Sequence, residues 1–402
     1  LALLTPLKDK IPAEVFTTAY NPPSTNGSGN NRANLKAAAD ILEAAGYKLG
    51  ADGIRVHEKT GVRLSFEMID ANPAFERWIL PFTQNLKRIG RIELPAMLPI
   101  VGAKQTKYYR NKLEYTFSSK RYLTREELLK RDVEREKATE LSEADSSPSG
   151  GSGTEGTKFG EGALGFHVPR IFDKVIDIET CYLQQEPNNA IRNFVREFAV
   201  RHQFTFYDIR EHKGWLRTMI FRMTTTGEVM VNITFGHDEE ADRKLLFDAL
   251  LNQFPEITTV LYTINPKWND SIYDLQPQTY FGKGYVTEKL EEFVFKIGAK
   301  SFFQTNTKQG EELYKVTREF AKLTGNEILY DLYCGTGSIG IFCSKGAKKI
   351  IGVEAIAEAI EDAKVNASVN GLTNTSFYAG DVIDVCTDDF FAAHGRPDVI
   401  IT

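Results

Sequence analysis

The sequence predicts an α/β protein. A parallel sheet flanked by helices occupies residues 286–402, behind two α+β regions at 1–91 and 92–285. Three observations carry this reading. The last third alternates apolar strand-like runs with helical runs in βαβ order. One apolar run ends in a glycine-rich turn that opens a helix, "YDLYCGTGSIGIF" at residues 330–342. Upstream, period-2 alternation in "YYRNKLEYTFSSKRY" and turn signals such as "TTTGE" read as strands of a second sheet.

In the first region, "NNRANLKAAADILEAAGYK" predicts an amphipathic helix with Leu35, Ala38, Leu42 and Ala45 on one face and Gly46 as its stop. "IRVHEKTGVRLSFEMI" predicts two strands about a Lys59-Thr60-Gly61 turn. "NPAFERWILPFTQNLKRIG" predicts a second helix between Pro73 and Gly90.

From Arg91 onward the chain is strand-rich, with basic and aromatic residues interleaved. Leu113, Tyr115 and Phe117 alternate onto one strand face, while Arg110, Lys112, Lys120 and Arg121 are candidates for phosphate contacts or for a solvated face. Residues 124–143 form a charged helical run. It leads into a Ser/Gly-rich segment near 140–160 that reads as a disordered loop.

In the last third, "TKQGEELYKVTREFAKLTG" is a helix before the strand "EILYDLY". The strand "KKIIGVEA", the helix "IAEAIEDAKVNASVNG", the strand "TSFYAGD" and a fourth strand "PDVIIT" follow. A sheet that stopped there would expose an apolar edge.

At 402 residues the chain is long enough for two or three domains, and 42% hydrophobic with 26% charged residues is ordinary for a globular protein. No apolar run approaches the roughly 20 residues that span a bilayer, which argues against an integral membrane protein. The opening "LALLTPLKDK" lacks a signal-peptide core and does not begin with Met, so it reads as a cut end. The formal charge of −5 argues against a surface that binds polyanions everywhere but allows a local basic groove. Cys181, Cys334, Cys343 and Cys386 form no CxxC pair and read as reduced thiols of a cytoplasmic protein, without a local metal site.

Gly335, Gly337 and Gly340 fit G-x-G-x-x-G, where glycine allows a tight turn and close approach of backbone to ligand. Glu354 ends the next strand, placed to accept from ribose hydroxyls. This geometry leaves a nicotinamide dinucleotide and S-adenosylmethionine both open. Asp331 is placed to meet a methionine ammonium and Asp381 an adenine amino group, although either could simply cap a following helix. Together they favour S-adenosylmethionine. Cys334 lies beside Asp331, which would raise its pKa, and reads as a bystander, with Cys343 and Cys386 as packing residues. In "SFFQTNTKQ", Phe302, Phe303, Gln304 and Asn306 could stack on a base and read its edge; composition alone favours a hydrophobic staple with a helix cap.

From about Ile92 to Thr402 the chain resembles the S-adenosylmethionine-dependent RNA uracil-C5 methyltransferases. The resemblance is carried by "YRNKLEYTFSSKRY", "GALGFH" with "VIDIETC", "SFFQTN", "YDLYCGTGSIGIF", "GVEA" and "NASVNG". It implies a Rossmann-like methyltransferase domain, C-terminally incomplete, behind an RNA-binding central domain. It implies an enzyme that makes 5-methyluridine in 23S rRNA or tRNA; a cytoplasmic monomer is expected. Gln304 falls at cofactor and substrate; Tyr333, Gly335, Gly337 and Ser338 at the cofactor loop; Glu354 at the ribose; Asp381 near the adenine. Phe303, Gln304, Asn306, Arg110 and Lys112 are the expected substrate contacts. Cys181 matches the fourth ligand of a 4Fe-4S cluster found in some members. The upstream C-x5-C-x2-C run is missing, so no cluster is expected.

The family's chemistry uses a cysteine thiolate that adds at uracil C6, methylation at C5, and a base that removes the C5 proton. Both groups follow a "DPPR" motif, and the sequence ends before it, so no catalytic residue and no turnover are expected within the chain. Residues 1–91 resemble instead part of an oligopeptide solute-binding protein of an ABC transporter, which implies a fusion near Gly90 to Glu93. A peptide-binding transport component and a dinucleotide-binding oxidoreductase are the competing readings.

Overall fold

The computed structural model describes residues 32–64, 85, 88, 101–125, 127–129, 133 and 162–402. The chain divides into two compact units, residues 1–102 and 103–402.

In the first unit, α1 (Arg32–Ala44) ends at Gly46, whose φ of +86° is left-handed. Strand β1 (Tyr47–Leu49) pairs antiparallel with β2 (Arg55–His57). Gly61, at φ +67°, then closes the expected Lys59-Thr60-Gly61 turn, and the His57 amide donates to the Val62 carbonyl at 2.8 Å. The apolar stripe of α1 is less covered than its pattern predicts. Leu35, Ala38 and Leu42 are half-buried and Ala45 is exposed. The helix expected between Pro73 and Gly90 lies outside the described residues, apart from helical positions 85 and 88.

The second unit opens with β3 (Lys112–Ser118), β4 (Ala163–Val168) and β5 (Ile171–Asp177). The helix α2 (Asn188–Arg201), β6 (Leu216–Met223), β7 (Val229–Phe235), α3 (Glu240–Gln253), β8 (Thr259–Ile264) and β9 (Gln278–Gly282) follow. The seven strands run in the order β5-β4-β3-β6-β7-β8-β9. Every pairing is antiparallel except β7 with β8, which α3 connects as a crossover. Leu113, Tyr115 and Phe117 are buried on one face of β3, as alternation requires, against Ile191, Val195 and Phe198 of α2. Of the helical run at 124–143, positions 125, 127–129 and 133 are helical, and the Ser/Gly segment lies outside the described residues.

A hairpin of β10 (Val286–Leu290) and β11 (Phe293–Ile297) precedes α4 (Thr307–Ala321) and β12 (Ile328–Leu332). Then come α5 (Ser338–Cys343), β13 (Lys349–Glu354), α6 (Ala357–Val369), β14 (Thr375–Ala379), α7 (Val382–Val385), α8 (Asp388–His394) and β15 (Val399–Ile401). The four strands β14-β13-β12-β15 are parallel throughout. Strand order reverses beside β12, and such a switch point is where open α/β sheets bind ligands. One face packs Leu329 and Ile350 against Cys343 and Ala347; the other packs Tyr330, Ile351 and Val353 against Phe390 and Phe391.

The asparagines of "NASVNG" finish the hairpin. Asn370 accepts from the Val294 amide at 2.8 Å and donates to its carbonyl at 2.7 Å, while Asn366 accepts from the Lys296 amide at 2.7 Å. The free edge of β11 is thereby satisfied by side chains instead of a strand. Met230 and Leu261 of the seven-stranded sheet share one apolar cluster with Phe295 and Phe303, so the regions expected at 92–285 and 286–402 are packed together.

Candidate functional site

The glycine turn between β12 and α5 is built on positive φ: +59° at Tyr333, +53° at Gly335 and +73° at Gly337. A Cβ at Gly337 would lie 2.8 Å from the Phe377 ring, whereas one at Gly335 would meet nothing within 4 Å. Gly337 is therefore demanded by packing and by backbone, and Gly335 by backbone at an open surface. The third glycine has another reason. The Gly340 amide donates to Asp331 Oδ2 at 2.8 Å, and a Cβ there would sit 2.9 Å from the same oxygen.

This bond corrects the expected position of Asp331. Only 2% exposed, it faces α5 and clamps the first turn of that helix to the sheet, and burial pushes its carboxyl up to about 7. Ser338 also turns inward, its hydroxyl 2.8 Å from the buried Tyr314 hydroxyl. Its side chain ties α5 to α4, which leaves the backbone as its route to a ligand.

Glu354 ends β13. It accepts from the Gly335 amide at 3.1 Å and from the Ile356 amide at 3.0 Å, so the carboxylate fixes the turn opposite it. Its remaining lone pairs are free to accept more. Asp381 caps α7 through the Ile383 amide at 3.0 Å, which is the capping alternative that its sequence context allowed. Tyr333 and Ile356 are exposed around this mouth.

Cys334 is buried against β13, where a Cβ on Gly352 would come within 2.9 Å of its sulfur. Burial first, then Asp331 and Glu354, drives its thiol far up the scale, which is the opposite of what a nucleophile needs. Burial likewise pushes Cys343 up to about 12 and raises Cys386.

The "SFFQTN" segment lies against the same turn: Thr336 Oγ1 donates to the Phe302 carbonyl at 3.4 Å. Phe303 is 3% exposed and packs on Phe295, so it is a core residue and not the expected substrate contact. Phe302, 71% exposed, is the accessible aromatic. Asn306 caps α4 by accepting from the Gln309 amide at 3.1 Å, which commits one side of its amide to the helix.

Gln304 lies between these parts. Gly310 gives it room, since a Cβ there would stand 2.9 Å from the Gln304 Cβ. From β3, Asn111 Nδ2 donates to the Gln304 carbonyl and to Thr307 Oγ1, both at 2.8 Å. Thr307 donates on to Glu288 at 2.8 Å, and this fully buried carboxylate also receives the Thr225 amide at 3.0 Å and the Thr225 hydroxyl. Gln304 is thus held through its backbone, and its side-chain amide bonds to no other described residue.

The basic candidates divide. Lys120 pairs with Asp208 at 3.1 Å and Arg121 with Glu127 at 2.6 Å, so both are engaged within the protein. Lys112 stands directly opposite Arg222 across the β3–β6 ladder, an unfavourable juxtaposition of like charges. Burial and then Arg222 lower its pKa, and Glu114 is 3.9 Å from its nitrogen. Arg110 Nε is buried without a partner.

Cys181 is buried, its backbone amide donating to Asn189 Oδ1 at 2.8 Å. Among the described residues no group of three or more His, Cys, Asp or Glu is placed to hold a metal. Nor is any described helix long and apolar enough to cross a membrane. Sequence reasoning missed Asn111, Glu288, Arg222 and Ile356. Of these only Ile356 carried a local signal, as the apolar residue just past Glu354.

Residues 323–402 match a family model described as a methyltransferase domain. A Porphyromonas gingivalis protein named RNA methyltransferase is 46% identical over 322 residues, covering 80% of this chain and 65% of its own length. A Bacteroides thetaiotaomicron protein of the same name is 47% identical over 322 residues, covering 79% and 65%. The chain thus spans about 65% of the length of these relatives. Among solved structures, the Pyrococcus abyssi tRNA (uracil-54, C5)-methyltransferase in complex with S-adenosyl-L-homocysteine aligns with a TM-score of 0.52 at 22% identity. That alignment covers 76% of this chain and 62% of the other, and it shows a shared fold. The glycine turn, the parallel sheet of order β14-β13-β12-β15 and this sequence kinship converge on the fold of an S-adenosylmethionine-dependent methyltransferase, and over most of its length the chain is similar to these proteins named RNA methyltransferase.

Proposed function

We propose that the chain carries the cofactor- and RNA-binding parts of an S-adenosylmethionine-dependent enzyme that methylates uracil C5 in rRNA or tRNA. The observation that carries this is the junction of two motifs. The glycine turn and the segment that carries Gln304 meet at the Thr336–Phe302 hydrogen bond, which supports a cofactor site and an unengaged amide opening to one mouth. The residues fit an adenosyl ligand: Gly335 opens outward, Glu354 keeps acceptor capacity for ribose hydroxyls, and Ile356 offers an apolar face at 53% exposure. Bound there, S-adenosylmethionine would supply an electrophilic methyl group. The chain's part is to hold the base: Gln304 hydrogen-bonds the uracil edge, Phe302 covers its face, and Lys112 and Arg110 meet the adjoining phosphates.

Addition at uracil C6 requires a thiolate. All four cysteines are buried or half-buried, and three have raised pKa values, so we assign the nucleophile to a residue outside 1–402. Calorimetric titration with S-adenosylhomocysteine and with NAD tests the cofactor. Micromolar binding of the first and none of the second is expected, and the reverse would move the chain to the oxidoreductases.

A further inference from the structure

Immediately before β3 lies a surface of which the site above uses only Arg110. Tyr108 and Tyr182 are 42% and 55% exposed, with ring centroids 6.1 Å apart. Lys107 Nζ lies 5.1 Å above the Tyr182 ring, and the Arg110 guanidinium 6.0 Å from the Tyr109 ring. The patch is built, since the Tyr108 amide donates to the Tyr182 carbonyl at 2.7 Å and the Arg110 amide to Leu183 at 2.8 Å. Tyr108 adopts a left-handed φ of +57°.

Its charge is one-sided. Lys104, Lys107 and Arg110 form no ion pair with a described residue, while Lys120, Arg121, Arg196, Arg210 and Lys300 of the same unit each hold a carboxylate. The Arg110 Nε is in addition buried with no acceptor. The patch is also continuous with the site. Asn111 follows Arg110 directly, and its side chain holds the Gln304 carbonyl.

We infer that Tyr108, Tyr182, Lys107 and Arg110 form a stacking platform for the unpaired RNA bases that flank the target nucleotide. Flat aromatic faces beside unpaired cations suit bases and phosphates together, and they suit a single strand, whose π faces are free. An acidic peptide would use the cations but gain little from the rings. The inference rests on the RNA-methylation reading and adds where the strand lies.

The test is fluorescence anisotropy with a uridine-containing single-stranded RNA oligonucleotide and with a duplex of equal length, titrated with the whole chain at several salt concentrations. Tyr182→Ala should weaken single-strand binding by about tenfold and leave the salt slope unchanged, while Tyr182→Phe should bind as the wild type does. Lys107→Ala should lower the salt slope by about one. Binding of S-adenosylhomocysteine should stay unchanged in all three, which reports an intact fold. Single-strand affinity within twofold of wild type for Tyr182→Ala would overturn the platform while leaving the methylation reading standing. So would an equal loss for the duplex, or stronger competition by poly-glutamate than by unlabelled RNA. A wild-type chain that bound no RNA would overturn both.

Discussion

Asn111 and Gln304 stand 193 residues apart in the sequence, yet the Asn111 amide donates to the Gln304 carbonyl at 2.8 Å. The bond joins the central sheet to the segment that carries the candidate base-reading amide. Through Thr307 it continues to the buried Glu288 carboxylate, so one polar network anchors the backbone of Gln304.

Asn111→Ala should therefore cost roughly 1–3 kcal/mol of stability, because Gln304 and Thr307 lose a buried donor. Chemical denaturation measures this. In the full-length enzyme the same change should raise KM for RNA while leaving cofactor affinity unchanged.

Glu288→Gln turns one acceptor into a donor facing either the Thr225 or the Thr307 hydroxyl. It should destabilise by about 2 kcal/mol or more, with Glu288→Ala at least as severe. Denaturant midpoints for the two variants check the order.

The glycines should separate fold from binding. Gly335→Ala forces a left-handed alanine at an open surface, costing roughly 1–2 kcal/mol and weakening S-adenosylhomocysteine binding. Gly337→Ala adds a 2.8 Å approach to Phe377 and should lower the melting temperature further. Differential scanning fluorimetry with and without ligand distinguishes them.

Asp331 predicts a pH dependence. It ionises near 3.8 in the unfolded chain and near 7 in the fold, where burial disfavours the charge. Between those values the folded protein holds a proton that the unfolded chain has released, so stability falls as pH rises across the window and levels off above about 7. The slope from this group is at most about 1.4 kcal/mol per pH unit. Asp331→Asn should remove it, and denaturation curves for the two proteins that ran parallel from pH 5 to 8 would contradict the assignment.

How much of this was legible beforehand follows from the range of each interaction. The glycine turn, the parallel sheet and the β3 alternation are local patterns, and they appear where the periodicity puts them. Cys334 could be dismissed from its acidic neighbour alone. Phe303 and Phe302 could not be told apart, since adjacent residues in an irregular segment have no period to assign a face. Glu288, in "VTEKL", has the sequence context of a solvated strand charge. Only Thr225, in a distant turn, and Thr307, at the start of α4, make it a buried anchor. Asp331 was found by position but not by direction, because its partner is the Gly340 amide and no side chain marks that bond.

The most direct test of the central claim is nucleoside analysis. The full-length gene product would be incubated with S-adenosylmethionine and unmodified rRNA and tRNA, and the RNA digested and resolved by mass spectrometry. 5-Methyluridine is expected, and it should be lost when Gln304 is replaced by Ala. Methyl groups found on cytidine or on adenosine, with uridine untouched, would contradict it.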